Sequence, residues 1–74
     1  MEQGSVMMQA RILRVRRDDL LVRDCRTGQQ VQVNTDRTRW FRPGQRVIIL
    51  YSGAMTRSSP PQIYAMEIMP NVRC

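Results

Sequence analysis

The sequence predicts an all-β domain, about five short strands rolled into a small barrel. Three observations predict it. Apolar residues recur at every second position rather than with the helical period of 3.6. The alternating segments are separated, mostly at hairpin spacing, by clusters of Asp, Gly, Pro, Ser and Asn. No segment keeps a helical pattern for the ten or so residues an amphipathic helix needs. At 74 residues and 8.7 kDa there is room for one small domain, residues 1–74, in which every apolar position counts.

The first strand spans residues 6–16. Its inward set begins as Met8, Ala10 and Ile12 and then passes to Leu13 and Val15. This change of phase predicts a bulge or sharp bend near Ile12–Leu13, the device by which one strand serves both halves of a small barrel. Met7 and Met8 are neighbours, so only one of them faces inward. Arg17-Asp18-Asp19 is a turn, and residues 20–24 form a second strand. Gly28, free to take positive φ, marks the next turn. Residues 30–34 alternate as a half-buried third strand, with Val31 and Val33 in and Gln30, Gln32 and Asn34 out. The alternation then breaks. Thr35 or Asp36 is placed to cap one helical turn over Arg37–Phe41, and Pro43-Gly44 forces a tight turn. Residues 46–51 make an apolar fourth strand, Ser52–Pro61 a long loop, and residues 63–69 a fifth strand ended by Pro70.

A bent first strand, a break after the third strand and a Pro-Gly turn into an apolar fourth strand look like an OB-type barrel whose inter-strand helix is reduced to a turn. The segment PGQRVIILYSGAMTRSSPPQIYA, Pro43–Ala65, resembles the Gly-Asp-x-Val-x-Val-x-Tyr-x-Gly…Ser-x-Pro-x-Gln-Ile stretch of small bacterial OB-like barrel proteins. These are classed mainly as a domain of unknown function and are often exported or lipid-anchored. ILRVRRDDLLVRD and TGQQVQVN follow the same pattern loosely. The resemblance implies a fold and carries no activity and no catalytic residues. This chain departs from it in being far more basic and in showing no signal or lipobox.

The chemistry the residues allow is narrow. There is no histidine, the usual general base and commonest metal ligand. There is no lysine for a Ser-Lys dyad and no Gly-x-Ser-x-Gly elbow. Asp18 and Asp19 are adjacent on a turn, with diverging side chains. Two distant cysteines without histidine do not make a zinc site, and no carboxylate cluster suits calcium. The expectation is therefore no enzyme, no metal and no cofactor. No apolar run approaches the ~18 residues of a membrane span. The N-terminal residues lack the charged start and apolar stretch of a signal peptide. That points to the cytoplasm, or to export if an upstream signal is missing, and to Cys25 and Cys74 as free thiols. With Cys74 last in the chain, oxidation in air would join copies through an intermolecular disulfide.

Two surfaces remain as candidates for binding. Twelve basic residues, all arginine, against six acidic ones give a net charge of +6 and a pI near 11.0. Arg37, Arg39, Trp40, Phe41 and Arg42, with Arg23 and other strand arginines, would attract the phosphates of a single-stranded nucleic acid and stack on its bases. The alternative is that one ring caps an open barrel end while the arginines face water. The second surface is the long loop. Gly53, Pro60 and Pro61 set its path, and Met55 and Arg57 either meet a protein partner or, for Met55, fold back to plug the barrel. Ile48, Leu50, Ile63 and the methionines offer more apolar strand surface than a small barrel buries, which points to homo-oligomers. The primary expectation is a non-enzymatic module that self-associates or docks on another protein through this loop. The alternative is sequence-tolerant binding of single-stranded nucleic acid.

Overall fold

A computed structural model describes residues 4–71. Its strands are β1 (Val6–Val15), β2 (Asp19–Asp24), β3 (Gln30–Asn34), β4 (Arg46–Tyr51), β5 (Gln62–Tyr64) and β6 (Glu67–Pro70), with a 3-10 turn at Thr38–Trp40. All lie in one sheet, in the order β5-β3-β2-β1-β4-β6. Every pairing is antiparallel except that of β3 with β5.

The bend in β1 falls where the apolar phase changes. Ile12 pairs with Val22 but Arg14 pairs with Leu21, so Leu13 is an extra residue on β1. Before it, Met8, Ala10 and Ile12 are buried while Met7 is exposed; after it, Leu13 and Val15 are half-buried. The bulge lets β1 bond to β2 along one edge and to β4 along the other while its apolar side keeps facing inward. Leu20, Val22, Val31, Val33, Val47, Ile49, Tyr51 and Ile63 complete the core, and Phe41 and Ile68 pack against it. These are the alternate positions of each strand, mostly β-branched, as a half-buried pleated surface favours.

The fifth strand divides in two. Ala65 donates its N–H to the Asn34 carbonyl beyond β5's pairing with β3 (3.2 Å), and Met66 donates to the Leu50 carbonyl on β4 (2.7 Å). Consecutive residues thus bond to opposite edges of the sheet, so the sheet curls on itself around the core. A run of alternating residues in the sequence does not reveal that its two halves pair with different neighbours.

Two further expectations are corrected, and one open alternative is decided. Neither Asp36 nor Thr35 caps the short turn: its N-cap is Arg37, without a side-chain cap bond. The Thr35 hydroxyl instead accepts the Arg37 N–H at 3.2 Å, a local turn that competes with capping. Cys25 is not a free thiol but disulfide-bonded. The expectation of free thiols rests on an assumed compartment, whereas the bond depends on the approach of two Cα atoms. The chain's other cysteine, Cys74, lies outside the described residues. Nor does Met55 plug the interior. It is 37% exposed, because the loop is held out by its own hydrogen bonds.

Candidate functional site

The outer face of the sheet carries the site, and strand register builds it. On β1, Gln9 and Arg11 alternate outward against Ala10 and Ile12. Arg11 lies directly opposite Arg46 on β4 and directly opposite Arg23 on β2. Directly paired residues share a face, so Arg46, Arg11 and Arg23 form a row across three adjacent strands, and Gln30 on β3 continues it. Neighbouring Cβ atoms in such a row are about 5 Å apart. All three arginines are exposed. Among the described residues the ion pair is elsewhere, between Arg16 Nε and Asp19 Oδ1 at 2.6 Å. Asp24 does not neutralise the row: it falls in the opposite phase of β2 from Arg23, and its Oδ1 accepts the N–H groups of Arg26 (2.8 Å) and Thr27 (3.3 Å). Like charges directly opposite across strands are destabilising. Three in a row make a concentrated positive strip at a cost to the fold.

A hollow of about 590 Å³, lined by Arg37, Trp40, Phe41, Gln45, Ile68 and Pro70, opens on the other side of the sheet from this strip, since Ile68 pairs with the inward Ile49 and Pro70 with the inward Val47. The two rings of the Trp-Phe pair part company. Phe41 turns in against the core, while the Trp40 side is 71% exposed. The backbone leaves them no choice: Phe41 has extended φ and ψ immediately after the 3-10 turn, which sends the two side chains to different sides. The turn itself is anchored. Thr38 is buried, and its hydroxyl donates to the Arg17 carbonyl at 2.9 Å. Just beyond, Gly44 N–H donates to the Ile12 carbonyl (2.7 Å) and Ile12 N–H to the Gln45 carbonyl (2.9 Å), tying the Pro-Gly turn to β1.

Of the arginines expected at this site, Arg37 joins Trp40 and Phe41 in the hollow, and Arg23 lies in the row. Arg39 and Arg42 are exposed and do not line the hollow. The sequence places Arg11 only among the strand arginines and does not single out Arg46, because the two meet through the register of β1 with β4.

The long loop is ordered by its own side chains. Gln62 N–H donates to Thr56 Oγ1 (2.9 Å), and Ser58 Oγ donates to the Pro60 carbonyl (2.8 Å). The 2.7 Å contact of Thr56 Oγ1 with Ser58 Oγ is therefore donated by Thr56, since each hydroxyl has one proton. The Ser59–Pro60 peptide is cis. Gly53, Met55 and Arg57 are exposed, Pro60 and Pro61 half-buried. A second outward patch lies on the same strands as the arginine row. Met7, 66% exposed, pairs with Leu50, and Ile48 pairs with Met69.

No family model matches the chain, and no curated protein or solved structure matches it.

Proposed function

We propose that this protein is a non-enzymatic binding module that holds single-stranded nucleic acid, without strong sequence preference, on the outer face of an OB-like barrel. The arginine row Arg46–Arg11–Arg23 carries the reading. It spans two interstrand distances, about 10 Å, and presents three always-charged guanidinium forks to successive phosphates. The OB-like reading is supported by topology. Counting β5 and β6 as one strand broken at Ala65–Met66, the order becomes the cycle β1-β2-β3-β5-β4 and back to β1.

Anisotropy of fluorescein-labelled (dT)12 and of a duplex of equal length, titrated over a range of salt, tests it. The wild type is expected to bind the single strand more tightly, with binding that survives at about 0.15 M salt. Arg11→Gln with Arg23→Gln is expected to weaken binding at least tenfold. It should also flatten the logarithmic salt slope by about 1.4, two phosphates at about 0.7 each. Binding that is indifferent to strandedness and gone by about 0.15 M salt would mean only the general attraction of a basic protein, and would overturn the proposal.

A second reading, self-association, rests on the Met7–Leu50 and Ile48–Met69 pairs. Sedimentation of the wild type against Met7→Lys separates the two. Under self-association the variant is smaller in solution; under nucleic-acid binding alone the two sediment alike.

A further inference from the structure

We infer that the hollow at Trp40 is a binding site for a small planar aromatic carboxylate. It opens on the core-facing side of the sheet, away from the arginine row, and it does not depend on the nucleic-acid reading.

The walls are apolar, and one of them is an unclaimed ring. Phe41 and Ile68 pack against the core and line the hollow from that side, with Pro70 beside them on β6. Trp40 lines it without joining the core, and at 71% exposure it leaves a large apolar plane in water. The backbone that carries the ring is fixed. Thr38 is locked to the Arg17 carbonyl, the Trp40 N–H donates to the Arg37 carbonyl at 3.2 Å, and the chain beyond is bonded to both sides of Ile12. A platform fixed in this way lowers the ordering cost of stacking a flat ligand on it. At about 590 Å³ the hollow lies within the usual range of small-molecule sites, about 300–1,000 Å³.

The polar side chains of the lining select the ligand, because what they offer is donors. Arg37 brings a guanidinium, whose planar fork matches a carboxylate. Among the described residues it makes no ion pair; the pair that forms joins Arg16 to Asp19. Gln45 is held to Arg42 twice: its N–H donates to the Arg42 carbonyl at 3.2 Å, and its Oε1 accepts the Arg42 N–H at 3.2 Å. With Oε1 engaged, the amide offers a ligand its NH2. The Trp40 indole adds one more N–H. No carboxylate lines the hollow. The ligand that answers this lining has a flat apolar body and an anionic end that only accepts, which describes an aryl carboxylate. A nucleobase answers it less well. Every base also carries an N–H or amino donor, and the lining side chains leave that donor no carboxylate and no unengaged amide oxygen.

Trp40 is the one tryptophan of the chain, so its indole N–H gives a single signal in a proton–nitrogen correlation spectrum. The experiment titrates isotope-labelled protein with three probes: 2-naphthoate, its neutral alcohol 2-naphthalenemethanol, and the non-aromatic cyclohexanecarboxylate. Naphthoate is expected to shift the Trp40 indole and Gln45 amide signals saturably, with Kd of about 1 mM or below. The alcohol, which lacks the charge, and cyclohexanecarboxylate, which lacks the plane, should each bind about tenfold more weakly. Arg37→Gln should bring naphthoate down to the affinity of the alcohol and leave the alcohol unchanged. Trp40→Ala should weaken both by about tenfold and still melt cooperatively. Arg11→Gln with Arg23→Gln should change neither. The site is overturned if the acid and the alcohol bind alike, or if naphthoate at ten times that concentration leaves the Trp40 and Gln45 signals in place. It is overturned equally if the Arg11 and Arg23 variant loses naphthoate while Arg37→Gln keeps it, since the anion would then sit on the arginine row.

Discussion

The two ends of the β1–β4 ladder share one inside and carry opposite outsides. At one end Met7 faces Leu50, and at the other Arg11 faces Arg46, with Gln9 opposite Ile48 between them. The buried partners along the same stretch, Met8 with Ile49 and Ala10 with Val47, are apolar throughout. Over four residues, about 14 Å of strand, the outer face passes from apolar to basic while the core does not change. Packing dictates the inward positions. The outward ones are released from it, so what stands there is free to serve binding.

The largest effect should come from beneath both ends. Ile49 is fully buried on β4, between the paired positions of the two outer patches. Ile49→Ala removes three carbons from a small core and should cost about 2–5 kcal/mol. Urea denaturation followed by circular dichroism measures it, and the oligonucleotide and association readouts should fall together. A loss below about 1 kcal/mol would mean that the two ends do not depend on a common core.

A smaller effect should be confined to the apolar end. Gly53 has φ of 100°, and a Cβ there would stand 3.2 Å from Val6 Cγ2 at the start of β1. Gly53→Ala meets both backbone strain and a tight contact, and should cost about 1 kcal/mol or more. Gly4→Ala, with nothing within 4 Å and no positive φ, is the control and should lie within about 0.5 kcal/mol of wild type. Binding of (dT)12 by the folded Gly53→Ala protein should be unchanged. A parallel loss of affinity would show the two ends to be coupled.

Strands and inward residues were legible because burial writes a period of two into the chain, and the bulge was legible because it breaks that period at Ile12–Leu13. Pairing was not. The division of residues 63–69 between β3 and β4 depends on where Ala65 and Met66 find carbonyls, and no local pattern states it. The candidate site divides the same way. Trp40, Phe41 and Arg37 are close in sequence and were read as a group; Arg46, Arg11 and Arg23 are brought together by register alone. Cys25 shows the limit of arguing from compartment, since whether a thiol is bonded depends on what the fold brings near it.

The smallest effect bears most directly on why the basic end exists. Arg11 stands between two like charges, and because all three groups face water each directly opposed pair costs only roughly 0.2–0.5 kcal/mol, the low end of the usual range. Arg11→Gln keeps a long polar side chain and removes both repulsions. The folded state should therefore gain up to about 1 kcal/mol at low salt, seen as a higher urea midpoint. The gain should fade toward 1 M salt, where the screening length is about 3 Å. Arg57→Gln in the exposed loop, which lies outside the row, should give no comparable gain. A variant that is more stable and binds oligonucleotide less tightly would mark the row as a feature kept against stability. If Arg11→Gln is neutral or destabilising at low salt, the three guanidiniums do not act as one charged strip, and the contrast between the two ends of the ladder loses its electrostatic half.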